Sequence, residues 1–342
     1  MNIKIIGDGH MENKPAVPKK PMENKPAVSK ELKENLPAVS KEPKENLPAI
    51  LLPGIGDIIY TWYKLINYVE MGHNIDIKVL NCKPQRSHQI MHCLQGMNSF
   101  EYIPGFEYDH YWLKQVDDLR KPPVDCLCRG LPVLNINSFL ESNQPLESFM
   151  PDFPAKYDIE LITKPEHKQA AEEKINKDQT NIILYSSSYR NNINCRNHPY
   201  PHFWVDVAQL VYDWRGFTKP LKIYVIGASY DLDLTHDVHK VCGDKGIEAE
   251  LLIDNSFPMI IEMIRRSDFF IGYESGFGMI ADCLNIPQLH MIRYQGGIRD
   301  DKRFPYLGPI NPDNIGKTYW PCFYDEEYGD VKQKLEESKN AI

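Results

Sequence analysis

From Ala49 onward, short apolar runs take turns with stretches whose apolar residues recur every three or four positions, a pattern that predicts strand, helix, strand along the chain. The first unit is a run of Ile50, Leu51 and Leu52 opening at Ala49 and stopping at Pro53, a turn Gly54-Ile55-Gly56-Asp57, and helical spacing at Ile58, Ile59, Trp62, Leu65 and Ile66. Strands are then expected at Ile75–Leu80, Phe100–Ile103 and Val133–Ile136, and helices at Arg86–Leu94 and Tyr108–Leu119. Lys164–Lys177 reads as a charged helix or linker. A second series follows, with strands at Asn181–Tyr185, Leu221–Ile226, Glu248–Ile253, Phe269–Gly272 and Gln288–Ile292. Its helices are expected at Phe203–Trp214, Met259–Arg266, Phe277–Leu284 and Glu326–Glu337. Alternation of this kind is the signature of an α/β chain with parallel sheets, here in two doubly wound halves.

The first 48 residues obey a different pattern. MENKPAVPKKP, MENKPAVSKEL and KENLPAVSKEP succeed one another, and a partial KENLPAI begins at Lys44. Each copy carries proline, lysine and glutamate and has little to bury, so the arm is expected to stay disordered. The period of eleven fits a right-handed coiled coil, but a proline in every copy breaks a helix each time. The expected organisation is an arm over 1–48, a first domain over 49–163, a linker over 164–180 and a second domain over 181–322. A C-terminal helix over 323–342 is expected to pack back towards the first domain.

Composition narrows the chemistry. The 342 residues are 42% hydrophobic and 25% charged, ordinary values for a globular chain long enough for two domains. A net charge of −8 without a basic block gives no indication of nucleic-acid binding. No apolar stretch is long enough to span a bilayer and no signal-peptide core precedes the repeats. Eight scattered cysteines, with only Cys126 and Cys128 close together, suit reduced, buried thiols in a cytoplasmic setting. No HExxH or comparable pair is present, so no metal site is expected, and there is no Walker A motif.

Three constellations can carry chemistry. In the Gly54–Asp57 turn, the two glycines allow close backbone approach and Asp57 is as well suited to capping the helix as to moving a proton. In Phe270–Met279 a strand runs into Glu274-Ser275-Gly276 at the start of a helix, whose free amides and dipole suit a diphosphate. Ser275 is either a phosphate donor or only the helix cap, and Glu274 suits sugar hydroxyls better than phosphate. Ser186, Ser187, Ser188 and Arg190, with Arg196 further on, place hydroxyls and guanidinium groups at a strand end, which serves phosphate recognition or a solvated loop equally. The loop with Arg299, Lys302 and Arg303 reads either way too, and Trp204 reads as core.

In order, these stretches resemble the GT-B glycosyltransferases of the ADP-heptose:lipopolysaccharide heptosyltransferase family. The matching islands are Gly56-Asp57 with Ile58, Ile59 and Thr61; Tyr185–Ser188 with Arg196–Trp204; Ile223–Gly227; and FPMIIEMIRRSDFFIGYESGFGMIADCLNIP over Phe257–Pro287. Together they fall within roughly residues 49–330. Glu274 stands where the family has aspartate, Met279 where it has histidine, and the repeats have no counterpart. The resemblance implies two Rossmann-like domains facing each other across a cleft, and an inverting, metal-independent transfer from a nucleotide-diphosphate sugar with Asp57 as base. It places the donor on Gly54, Gly56, Ser186, Ser187, Ser188, Arg190, Arg196, Gly227, Glu274, Ser275, Gly276 and Met279. No cofactor is implied beyond the nucleotide-sugar co-substrate, and the acceptor stays open between a glycan, a protein side chain and a modified DNA base. A nucleotide-sugar 2-epimerase of the same fold and a non-catalytic nucleotide-sugar-binding protein are the alternatives.

Overall fold

The structure is a computed structural model that describes residues 46–51, 54–71, 74–80, 87–97, 99–103, 127–128, 131–134, 154–186, 200–229, 232–273, 275–292, 312–314, 316–323, 331–333 and 335–337. The chain divides into Met1–Glu42 and Pro43–Ile342, and every described residue belongs to the second unit. The expected arm up to residue 45, the helix at 108–119 and the basic loop at 293–303 lie outside the described residues.

The first sheet holds β1 (Asn46–Leu51), β2 (Asn74–Leu80), β3 (Ser99–Ile103), β4 (Leu127–Cys128) and β5 (Leu131–Leu134) in the order β3-β2-β1-β5-β4. All neighbours run parallel except β4, which is antiparallel to β5. β1 begins at Asn46, so the last repeat copy belongs to the sheet and the boundary expected at residue 48 lies too late. Pro48 sits inside this strand, paired with Asp76 of β2 on one side. Proline removes a ladder donor and is confined to strand edges. Pairing of β1 with β5 starts only at Ile50, which leaves Pro48 one unpaired flank among the described residues.

The second sheet is fully parallel, in the order β11-β10-β9-β6-β7-β8. Its strands are β6 (Thr180–Tyr185), β7 (Leu221–Gly227), β8 (Glu248–Ile253), β9 (Phe269–Tyr273), β10 (Gln288–Ile292) and β11 (Tyr319–Phe323). β6 is buried along its whole length, as a central parallel strand covered on both faces must be. Side-chain alternation sends Ile183, Tyr185, Tyr224, Ile226 and Phe270 into one core. Ile182, Leu184, Ile223, Val225, Phe269 and Ile271 go into the other.

Helices are α1 (Ile55–Glu70), α2 (Ser87–Met91), α3 (Pro165–Lys174), α4 (Pro201–Arg215), α5 (Leu232–Asp244), α6 (Phe257–Arg265) and α7 (Gly276–Cys283). One core is private to the second sheet and is built with α4, α5 and the helical residues Val331 and Leu335. The described part of the C-terminal helix therefore packs on the second half, not on the first as expected. The other core is shared: α1 and α2 of the first half pack with α3, α6 and α7 against the second sheet. Because α1 lies inside that shared core, every residue classed from Ile58 to Asn67 is buried, polar Thr61, Lys64 and Asn67 included. The stretch expected as a linker is a docked helix, with Ala171 and Ile175 in the shared core and Glu172 paired with Arg266 at 3.0 Å.

α5 and β11 were not expected from the sequence. α5 is mostly polar, and its buried positions reduce to Thr235, Val238, Val241 and Cys242. Trp204, expected as core, is fully buried, edge-on to Tyr273 at 5.0 Å. The described cysteines Cys93, Cys242, Cys283 and Cys322 are free and buried. No helix among the described residues is long and apolar enough to cross a membrane.

Candidate active site

In both sheets the strand order reverses beside the first strand: between β1 and β5 in one, between β6 and β9 in the other. In open parallel sheets ligands bind beyond the carboxyl ends of the strands at such a switch point. Several of the predicted site residues follow strands at these switch points. Gly54–Asp57 follows β1, Ser186 follows β6, and Ser275-Gly276 follows β9. Gly227 ends β7 one strand away, where its carbonyl accepts the amide of Asp254 at 3.2 Å.

The first helical hydrogen bond of α1 runs from the Ile58 amide to the Gly54 carbonyl at 3.0 Å. Gly54 is thus the N-cap and Asp57 stands in the first turn. The capping role weighed for Asp57 belongs to glycine. An acidic residue in a first turn is still favoured by the helix dipole. At α7 the first helical bond runs from Met279 to the carbonyl of Ser275 at 3.2 Å, which makes Ser275 the N-cap in an extended conformation. Its side chain makes no capping bond. Ser275 Oγ is buried and has no hydrogen-bond partner among the described residues, and the same holds for Ser186 Oγ, whose residue is fully buried. Leaving a buried hydroxyl unpaired costs about 1–3 kcal/mol. The two lie at the ends of adjacent strands β6 and β9, and each calls for a partner that the described residues do not supply.

The two halves meet at this place. A Cβ added to Gly276 would lie 2.5 Å from Ile55 Cγ2 and 3.0 Å from the Gly56 amide nitrogen. One added to Gly56 would lie 3.1 Å from Met279 Sδ and 3.7 Å from the Gly276 nitrogen. Glycine in both positions lets one backbone touch the other. Where a gap was expected between the Gly54–Asp57 turn and Ser275-Gly276, these two segments are in contact, and Met279 is buried in the seam. Further along, Tyr63 Oη lies 3.3 Å from Cys283 Sγ, so α1 and α7 run side by side in the same direction. Burial, then Cys283 and Asp282, push the Tyr63 phenol well above its ordinary value, and burial pushes the Cys283 thiol up to about 12. Both stay neutral. Two aligned helices bring together their positive ends and first-turn amides, which have no partner within their own helices, an arrangement that favours an anion at the shared end.

Contacts between the halves continue along α6. Gln89 of α2 accepts the Phe257 amide at 2.7 Å, and Arg265 donates to the Leu161 carbonyl at 2.6 Å. Glu262, buried, accepts from Thr163 and pairs with Arg265 and Arg266. Burial raises its pKa, but the Thr163 hydroxyl and the two guanidinium groups outweigh it and hold the carboxyl below the usual range. Sequence reading missed this cluster, since a carboxylate followed by two arginines on a helix looks like a solvated face.

Ser187, Ser188, Arg190, Arg196 and Glu274 lie outside the described residues, as does the side chain of Asp57. Among the described residues no group of three His, Cys, Asp or Glu side chains could hold a metal ion.

No protein-family model matches this sequence, and no curated protein matches it. Solved structures do. Escherichia coli ADP-heptose lipopolysaccharide heptosyltransferase II is similar with a TM-score of 0.55 at 11% identity, over 87% of this chain and 98% of that one. A family 9 glycosyl transferase from Veillonella parvula DSM 2008 is similar with a TM-score of 0.55 at 10% identity, over 87% of this chain and 98% of that one. At such identities the likeness speaks for architecture: the chain has the two-half α/β fold of the heptosyltransferase and family 9 glycosyltransferase structures.

Proposed function

We propose that this protein transfers a sugar from a nucleotide-diphosphate sugar to an acceptor hydroxyl, with inversion at the anomeric carbon and without a metal. The observation that carries the reading is the pair of buried hydroxyls, Ser186 and Ser275, without hydrogen-bond partners among the described residues at the ends of adjacent strands β6 and β9, with Gly276, next to Ser275, packed against Ile55 and Gly56. Both hydroxyls donate to diphosphate oxygens, and the α7 first-turn amides take the charge that builds on the leaving group. Asp57, in the adjoining first turn, accepts the proton of the acceptor hydroxyl as its oxygen attacks the anomeric carbon, and the bond to the diphosphate oxygen breaks in the same displacement. The fold shared with the two glycosyltransferase structures supports this choice of reaction.

The test begins with a thermal-shift panel of ADP, UDP, GDP and CMP. A ligand at 100 times its dissociation constant stabilises by about 2.7 kcal/mol, so the donor base shows as one clear shift. The matching nucleotide sugar is then incubated with and without candidate acceptors. Release of nucleoside diphosphate that depends on an acceptor, with an inverted glycosidic linkage by NMR, is expected. A sugar epimerised at C2 with no acceptor present would identify an epimerase instead, and tight nucleotide binding without turnover a binding protein.

A further inference from the structure

Beneath α7 lies a buried polar unit that the proposed chemistry does not use. Gln288 and His290 are consecutive inward positions of β10, 1% and 0% exposed. In the amide orientation that matches donors to acceptors, Gln288 Nε2 donates to the Gly278 carbonyl at 3.0 Å and to His290 Nε2 at 2.9 Å. Its Oε1 accepts the Asp282 amide at 3.1 Å. Gly278 and Asp282 are four apart on α7, the two groups an α-helix ordinarily pairs with each other. The Gln288 side chain therefore grips the backbone of the helix itself. His290 closes the grip: a Cβ on Gly278 would lie 1.8 Å from His290 Nε2, so the imidazole touches the helix backbone where only glycine fits. Accepting from Gln288 requires an unprotonated Nε2, which burial enforces by pulling the imidazole pKa down to about 3. Phe270 of β9 and Tyr319 of β11 flank the ring at 6.0 and 5.1 Å, and Asp282, bonded to Asn314 at 3.0 Å, is the carboxylate of the same unit.

We propose that Gln288 and His290 are positioning residues that set the orientation of the first turn of α7, and through it the aim of its amides and of Ser275 at the bound diphosphate. The inference rests on the diphosphate reading of that helix end. Neither residue touches the ligand. An apolar side chain of similar shape would fill the same space but would leave the Gly278 carbonyl and Asp282 amide to each other, and the first turn would lose its external reference.

The experiment uses inorganic pyrophosphate, which needs only the helix end and no base pocket. Binding to the full chain is measured by calorimetry for wild type, Gln288→Met, His290→Leu and His290→Gln, with hydrogen exchange over residues 276–279 as a second readout. Gln288→Met and His290→Leu are expected to weaken pyrophosphate by about tenfold, the scale of one lost charge-assisted hydrogen bond, and to speed exchange in the first turn. His290→Gln, which keeps an acceptor facing Gln288, is expected to restore both. Wild-type affinity and exchange in folded Gln288→Met or His290→Leu overturn the positioning role, as does a His290→Gln variant no better than His290→Leu. Wild-type protein that ignores pyrophosphate overturns the diphosphate reading itself.

Discussion

The contact between Gly56 and Gly276 sets a sharp expectation for Gly276→Ala. The new Cβ would lie 2.5 Å from Ile55 Cγ2, 2.6 Å from Ile55 Cβ and 3.0 Å from the Gly56 nitrogen. Two of these three atoms are a branch point and a backbone nitrogen, which cannot rotate away, so α1 and α7 must separate by roughly 1 Å to restore ordinary contact. Overpacking of this kind costs about 1–3 kcal/mol. For a chain this long that is a fall in Tm of about 1–5 °C by calorimetry. Transfer should suffer more than stability, because a displacement of about 1 Å between reacting groups can lower turnover on the order of 100-fold. Removing the opposing side chain gives the control. Ile55→Gly combined with Gly276→Ala should recover part of the loss, with a coupling of about 1 kcal/mol or more in the double-mutant cycle. If Gly276→Ala keeps wild-type Tm and turnover, or the two substitutions add, the seam is not packed as described.

Other expectations are separate tests. Gly243→Ala on α5, where an added Cβ meets nothing within 4 Å among the described residues, should raise stability by about 0.5–1 kcal/mol in denaturant titrations. Ser186→Ala and Ser275→Ala each remove a buried hydroxyl without a partner among the described residues, so the free protein should be unchanged or more stable while nucleoside diphosphate binds at least about tenfold more weakly. His290, held at about 3, stays neutral in the folded state while the unfolded imidazole takes up a proton below about pH 6.5. Stability should therefore fall by about 1.4 kcal/mol per unit as pH drops from 6 towards 4, and His290→Gln should remove that slope. Glu262 has the carboxylate sign: its pKa is depressed on folding, so its contribution is present above the ordinary carboxylate value and lost as pH falls through the lower folded one. Glu262→Gln should destabilise at pH 7 and flatten the acid limb of the stability curve.

Much of this architecture is written in hydrophobic periodicity. β8 and β10 match their expected bounds at both ends, and α4, α6, α7, β6 and β9 start or stop within two residues of them. Parallel strands buried on both faces and helices with one apolar stripe leave strong local patterns. α5 escaped because four modest side chains suffice to hold it, and β1 was cut short because its proline-bearing start repeats the arm. At the candidate site the sequence pointed to strand ends, and the structure places Ser186 and Ser275 just after β6 and β9 as expected from the strand pattern. The packing that joins the halves was not, since the glycine-to-glycine contact, the Glu262 cluster and the Gln288 grip all depend on pairs more than thirty residues apart or on a strand meeting a helix. Nothing local marks Thr61 or Lys64 as buried; that follows from α1 lying inside the core shared by the two halves.

The central claim is that the first turn of α1 supplies the proton acceptor for a transfer whose diphosphate is held by the first turn of α7. Asp57→Asn tests it most directly, by acceptor-dependent nucleotide release beside nucleotide affinity in the same preparation. Transfer should fall by at least about 100-fold while the dissociation constant of the nucleoside diphosphate stays within a few fold. Turnover near wild type in that variant, or parallel loss of binding and transfer, would contradict it.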